Sequence, residues 1–391
     1  MQTINATYPA TNQVERPVHV GVVGSGDLEI LLAPIESHAD RPDELKVRVR
    51  TSVDGFDTVW RRVLDHFFEN NRPVCTIEIN DFGATPGMVT LRLSQALELA
   101  TATDDDQMVG SADGSKSTGE LPFTEMSARQ RAASLLDSGT FREILGPSYH
   151  AESPHLEPQG IVPSSDDGCV IARGTINGAP AAVVGLEGKF QGGGIGEISG
   201  AKIAATLERA LVDAESGHPV RVVLLLETGG IRLQEANLGL LAIAEIHAAI
   251  VALQRHIPVT AVISGMVGCF GGMGIAAGLC DHIVMTRAGR LALNGPEVIE
   301  TEAGVDEFDS TDRSLVWAVT GGEQRVAAGR ADVLAEDRPE AIRKAVIDLD
   351  TAPFSVHRGD RVTELAAQLA DLDPAARPTP SELRTIDGRT H

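Results

Sequence analysis

Apolar runs of strand length, glycine-rich turns and amphipathic stretches follow one another through most of this chain. Val222-Val223-Leu224-Leu225-Leu226 is one such run, and Pro258-Val259-Thr260-Ala261-Val262-Ile263 is another. A short run that is apolar throughout reads as a strand buried on both faces. A long helix is expected between them, from about Gln234 to Arg255. Ser199 to Glu215 predicts a helix with Ile203, Leu207, Ala210 and Leu211 on one face, and 274–280 predicts a shorter apolar one. Ala181 to Val184, His282 to Met285 and Leu291 to Leu293 read as further strands. Short strands joined by helices imply an α/β fold, and periodicity alone allows a doubly wound sheet.

The first hundred residues carry a different pattern. Val18 to Val23 and Leu28 to Leu32 flank the turn Gly24-Ser25-Gly26-Asp27, which suggests a hairpin. Lys46 to Arg50 alternates at period two, and Val74 to Ile79 is another strand. Asp57 to Glu69 places Val59, Trp60, Val63, Leu64, Phe67 and Phe68 at helical spacing, and Thr85-Pro86 opens a second helix. These elements predict a small α+β domain at 1–100. Residues 101–120 are polar, rich in Gly and Ser, and without apolar period, which reads as a flexible linker. The α/β domain is placed at 121–355, and a C-terminal helix with a Pro-rich tail at 356–391.

Composition narrows the partners. The 391 residues carry a net charge of −22 with 42% hydrophobic content. Lysines are scarce, which argues against nucleic acid. Cys75, Cys169, Cys269 and Cys280 form no C-x-x-C pair, so a zinc ribbon is not expected. Scattered cysteines suit a reducing cytosol, and a cytoplasmic location is expected. The N-terminus lacks the pattern of a signal peptide, and no apolar run is long enough to span a membrane.

Candidate chemistry concentrates on glycines. Gly229-Gly230 ends the first apolar run, and Gly271-Gly272 follows the second. Adjacent glycines let backbone N–H groups face a ligand without Cβ interference, and a helix start adds unpaired donors. Such donors stabilise oxygen-centred negative charge. Gly193 and Gly194, in Phe190-Gln191-Gly192-Gly193-Gly194-Ile195-Gly196, lie alongside or serve close packing. The bland alternative for each turn is a strand–helix connection. Arg232 and Glu235 fit a buried pair holding the Gly-Gly turn better than a chemical role, and Gln234 is grouped with them. His247, His256 and His282 read as packing or surface residues. No metal-binding pattern stands out.

The ordered set F-x-G-G-x-x-G, T-G-G-I-R-L-Q-E, G-G-x-x-x-x-A and N-G-P-E-V-I-E resembles the crotonase-type carboxyltransferase families over roughly residues 125–350. With the lead-in Ser127 to Glu143, it is similar to the beta subunit of biotin-independent malonate decarboxylase. Residues 14–100 resemble that system's acyl carrier (delta) subunit, through the S-G-D turn and Asn80-Asp81-Phe82-Gly83-Ala84-Thr85-Pro86-Gly87. The resemblance implies a carrier domain followed by a crotonase-like spiral that decarboxylates malonyl-carrier to acetyl-carrier and CO2. It also implies a 2'-(5''-phosphoribosyl)-3'-dephospho-CoA arm on Ser25, with no metal and no biotin. Implied partners are a gamma subunit completing the active site, an acetyl/malonyl carrier transferase and a prosthetic-group transferase; neither nucleic acid nor membrane is expected. Ile231 stands where many biotin enzymes have alanine. A biotin-dependent carboxyltransferase and a non-catalytic thioester carrier or scaffold are the rival readings.

Overall fold

The computed structural model describes residues 1–35, 44–101, 121–351, 357–370, 373 and 379–386. The expected linker at 101–120 lies outside them, apart from Thr101. The chain forms two compact units, one of Met1–Gly119 with Leu145–Asp167 and the other of Glu120–Ile144 with Gly168–His391. No helix among the described residues is long and apolar enough to cross a membrane.

In the first unit, β1 (Gln2–Pro9), β3 (Val18–Gly21), β4 (Leu28–Pro34), β5 (Glu44–Thr51) and β6 (Pro73–Asp81) build one sheet in the order β1-β5-β6-β4-β3, and β2 (Asn12–Gln13) also pairs with β6. Helices α1 (Asp57–Asn70) and α2 (Pro86–Thr101) contribute to one core. Trp60, Leu64 and Phe68 of α1 and Val89, Leu93 and Ala96 of α2 are buried with Ile30, Val49, Ile77 and Ile79 of the sheet. The α+β expectation and the hairpin around Ser25 hold. Strand β1 was missed, because only Ile4 of its eight positions is buried and the apolar alternation is weak.

The sheet also carries buried polar positions. Glu29, only 1% exposed, accepts from Asn80 Nδ2 at 2.6 Å and from the Ser165 and Asp166 N–H groups at 2.9 and 2.8 Å. His19 Nε2 lies 2.9 Å from the same carboxylate. Arg50 donates to Asn80 Oδ1 at 2.8 Å and to Glu152 at 2.7 Å. Residues 145–167 therefore cover a polar surface of the first unit's sheet. The expected boundaries assigned this segment to the α/β domain, since its partners are distant in sequence.

The second unit has the sheet β13-β12-β11-β10-β9-β8-β7. Strands β9 (Ala179–Leu186), β10 (Arg221–Leu225), β11 (Val259–Ile263), β12 (His282–Thr286) and β13 (Val333–Ala335) run parallel to one another. At the other edge, β8 (Cys169–Ile176) and β7 (Arg142–Ile144) are antiparallel. Val222 and Leu224 enter one core while Val223 and Leu225 enter another, which explains the continuous apolar run. The first core includes α4 (Glu197–Glu215), α5 (Ala236–Leu253) and α6 (Gly271–Leu279); the second includes α3 (Ala128–Leu135) and α10 (Pro339–Thr351). Between them in sequence lie α7 (Pro296–Ala303), α8 (Arg313–Thr320) and α9 (Gly322–Ala327), with α11 (Val362–Ala370) and α12 (Pro380–Ile386) at the end. The expected strand at 291–293 is instead an isolated bridge from Leu291 to Cys269. The helix expected at 274–280 begins earlier, so Gly271 and Gly272 are its first two residues.

Glu29 generates a stability prediction. Burial by itself raises its carboxyl pKa, but hydrogen bonds from His19, Asn80 and the Asp166 N–H outweigh burial and hold it below the usual glutamate range. A depressed folded-state value makes this stabilisation complete above the ordinary glutamate value. It is lost as pH falls through the depressed one. Glu29→Ala should cost about 3 kcal/mol, because several buried donors lose their acceptor. Urea unfolding read by Trp60 fluorescence in a Trp317→Phe background measures the cost, and limited proteolysis should show cleavage within 145–167.

Candidate active site

The first unit presents Ser25 at the tip of the β3–β4 turn. Asp27 N–H closes the turn on Gly24 O at 2.9 Å, and Gly26 has φ +77°, as the third position of a type II turn requires. Gly26 N–H donates to Phe82 O at 3.0 Å, and Phe82 N–H donates to Asp27 O at 3.2 Å. Arg92 pairs with Asp27 at 2.6 and 3.0 Å. Burial raises the Asp27 carboxyl pKa, but Arg92 and the Leu28 N–H outweigh this and lower it overall. The turn is thus pinned from both sides while Ser25 stays exposed. Its hydroxyl has no partner among the described residues, and a Cβ at Gly26 would meet nothing within 4 Å. The two sequence motifs singled out for this domain, at Ser25 and at 80–87, are brought into direct contact.

In the second unit, three glycine turns converge beyond the carboxyl ends of the parallel strands. Open α/β sheets form their binding crevices at such strand ends. Beyond the main sheet, Ile195 bridges Ile231, Thr228 bridges Cys269, and Cys269 bridges Leu291. Gly193 has φ +66°, and a Cβ there would lie 1.8 Å from Glu227 O. This glycine is required for close backbone packing. A Cβ on Gly271 would stand 3.4 Å from Gly230 Cα, so the second and third turns touch.

The donors divide unexpectedly. Gly193 and Gly194 N–H groups donate to Phe190 O and Gln191 O at 2.9 and 3.2 Å. Gly229 N–H donates to Gly192 O at 2.9 Å, Gly230 N–H to Thr228 Oγ1 at 3.1 Å, and Gly271 N–H to Leu293 O at 2.6 Å. Of the six glycines expected to matter, only Gly272 keeps an N–H without an acceptor among the described residues. Met273 and Ile231 N–H groups share that condition. They are sites the sequence reading missed; the signal was their position just after a glycine pair. Gly230, with φ +131°, faces open space, since no atom lies within 4 Å of where its Cβ would be.

Charged and polar side chains brace these turns from behind. Arg232 donates through Nε to Gly194 O at 3.0 Å, pairs with Glu235 at 3.2 Å and stacks 5.0 Å over Phe190. Glu235 accepts from Glu197 N–H at 2.6 Å and so caps α4. This geometry agrees with the bracing role expected for the pair. Gln234 is exposed. A second buried pair, Arg131 with Glu227, lies behind β10, and Cβ atoms at Gly188 or Gly265 would come within 2.5 or 2.0 Å of the Glu227 side chain. His247 donates to Gly272 O at 2.7 Å, which fixes the first turn of α6. Burial pushes the Cys269 thiol far above its ordinary range, which makes it a poor nucleophile. No group of three His, Cys, Asp or Glu among the described residues is placed to hold a metal ion.

The fold and the converging turns define a crotonase-like carboxyltransferase domain preceded by a small α+β domain with an exposed serine at a tight turn. Residues 120–382 match the carboxyl transferase domain family, and residues 15–100 match the malonate decarboxylase delta subunit, an acyl carrier family. The chain belongs to the carboxyl transferase family, with a delta-type acyl carrier domain in front of the transferase domain. It is 44% identical over 232 residues to the malonyl-S-ACP:biotin-protein carboxyltransferase of Malonomonas rubra, covering 57% of this chain and 73% of the relative. Over 99 residues it is 42% identical to the malonate decarboxylase acyl carrier protein of Pseudomonas syringae pv. tomato, covering 25% of this chain and 95% of the relative. A crystal structure of a Pseudomonas malonate decarboxylase hetero-tetramer in complex with malonate matches with TM-score 0.66 and 55% identity, covering 68% of this chain and 97% of that one. An acyl carrier domain of this family implies a prosthetic group.

The packing around the glycines sets an order of tolerance. Gly193→Ala should unfold the site or the whole unit, because its Cβ meets backbone. Gly230→Ala should fold, with about 1–3 kcal/mol of strain from its positive φ. Thermal unfolding of the two variants checks the order. Gly272→Val would test packing rather than donation, since a Cβ there lies 2.5 Å from Ile243 Cγ2.

Proposed function

We propose that this chain is the carrier and decarboxylase component of a malonate decarboxylase. Ser25 holds a 2'-(5''-phosphoribosyl)-3'-dephospho-CoA arm through a phosphodiester, and that arm supplies the thiol that bears malonyl as a thioester. In the second unit the malonyl carboxylate leaves as CO2. The electron pair of the broken C–C bond moves onto the thioester carbonyl, and a proton from water or a partner chain then completes acetyl. The transient charge lies on oxygen, so the enzyme's task is to offer preorganised donors to it. The observation that carries this reading is the group of unpaired N–H groups at Ile231, Gly272 and Met273 around the Gly230–Gly271 contact. The helix dipole at the start of α6 adds to them. Gly229, Gly230, Gly271, Gly193 and Gly194 act by shaping that cradle, since their own N–H groups are occupied in this conformation.

Separate chains complete the reaction: a gamma subunit as the other half of the active site, an acetyl/malonyl transferase that reloads the carrier, and a transferase that installs the arm. The hetero-tetrameric Pseudomonas malonate decarboxylase and a related MdcD-MdcE hetero-dimer support a multi-chain arrangement. The Malonomonas relative favours a second reading, in which the carboxyl group passes to biotin on another protein. Ile231 in place of alanine argues for release as CO2, because its bulk narrows the space for a second substrate.

The test is CO2 release from malonyl-loaded chain reconstituted with its partners. Ser25→Ala should lose the mass of the arm and all carrier-linked turnover. Gly230→Ala should lower the rate by about 10²-fold, because a Cβ in the open space at Gly230 would hold the thioester oxygen off the neighbouring Ile231 donor. Avidin should leave the wild-type rate unchanged; inhibition would establish the biotin reading. Binding of malonyl-carrier with no CO2 released would leave only a scaffold.

A further inference from the structure

A cavity of about 240 Å³ on the carrier unit has no part in the chemistry above. Phe56, Val59 and Trp60 line it together with Val89 of α2, and Asp81 and Gly83 line it at the end of β6. Residue 82, between those last two, is the one whose carbonyl accepts from Gly26 N–H at 3.0 Å. Consecutive Cα atoms are about 3.8 Å apart, so the cavity wall begins within about 10 Å of the Ser25 backbone. Phe56 and Val59 in its wall are 49% and 38% exposed, and Phe82, next in sequence to two wall residues, is 43% exposed.

We propose that this cavity seats the purine base of the arm carried by Ser25. The inference rests on the carrier reading of the preceding section. The base is the arm's heteroaromatic group, and only the phosphodiester and sugars separate it from the serine oxygen. Aromatic side chains are sequence-tolerant stacking platforms for such rings. The cavity is smaller than the 300–1,000 Å³ typical of sites for whole drug-sized ligands, so it accepts one ring system rather than the full arm. Asp81, 2% exposed, adds a polar group. Its carboxylate accepts from Thr51 Oγ1 at 2.6 Å and Ala84 N–H at 2.8 Å, which leaves acceptor capacity for an exocyclic amine. Anchoring the base fixes the root of the arm while its thiol end stays free to move.

The experiment uses the full chain labelled with 5-fluorotryptophan. Its two tryptophans, Trp60 and Trp317, give two ¹⁹F lines, assigned with Trp317→Phe. Chain from a host that makes the arm is compared with chain from one that does not, with intact mass reporting attachment. A mass adduct should displace the Trp60 line and leave the Trp317 line in place. Adenosine titrated into the arm-free chain should move the Trp60 line in the same direction. Val59→Phe, which fills the cavity mouth from a partly exposed position, should keep the adduct and lose the displacement. An adduct with an unmoved Trp60 line overturns the proposal and spares the carrier reading. So does a displacement that survives in Val59→Phe. Absence of any adduct on Ser25 overturns both.

Discussion

Contact between bare backbones at the carboxyl end of β10 is the constraint on which the second unit depends. Gly193 lies so close to Glu227 O that a side chain would occupy the same space. That approach lets Gly192 O take the Gly229 N–H and lets Ile195 pair with Gly230 and Arg232. On the other side, Phe270 N–H bonds Thr228 O at 3.0 Å, and the next residue begins α6. The glycines are therefore less the donors of the site than the reason donors can be gathered there. Gly229 and Gly271 spend their N–H groups on neighbouring segments, Gly193, Gly194 and Gly230 spend theirs within their own turns, and the N–H groups of Ile231, Gly272 and Met273 are left without an acceptor among the described residues.

Buried ions hold this arrangement in place. Such pairs are weak evidence for net stability, because desolvation offsets much of their attraction. Their use here is positional. Arg232 ties Gly194 to Glu235, and Glu235 ties the start of α4 to the same turn. Arg131 and Glu227 do the corresponding work behind β10, in space left by Gly188 and Gly265. In the carrier unit Arg92 and Asp27 anchor the turn that offers Ser25. In all three places a charged pair stiffens a loop whose outward side is left open.

Some of this was readable because the signal is local. The apolar runs at 222–226 and 258–263 are buried on both faces and became β10 and β11. Helix α1 followed from Trp60, Leu64, Phe67 and Phe68 at one spacing. The β8–β9 hairpin was also readable and was missed. It turns on Asn177-Gly178, both at positive φ, which is a strong short-range hairpin cue. The role of 145–167 had no comparable cue. The segment is polar and aperiodic, and its attachment depends on Glu29, Asn80 and Arg50, which lie more than sixty residues away along the chain.

The sequence by itself determined the class of fold, the candidate glycines and the candidate serine turn at Ser25, because periodicity and ordered motifs are properties of neighbouring residues. It also identified Arg232 and Glu235 as a bracing pair, since they are three residues apart at the end of a buried strand. Which N–H groups remain unpaired was decided only by the tertiary structure. A backbone donor is free or occupied according to the carbonyl that packs against it. Gly229 loses its donor to Gly192, and Gly271 loses its donor to Leu293, through contacts between segments distant in the chain. Long-range packing, which no local pattern encodes, left Gly272 as the one candidate glycine with a free donor and added the residues that follow each glycine pair, Ile231 and Met273.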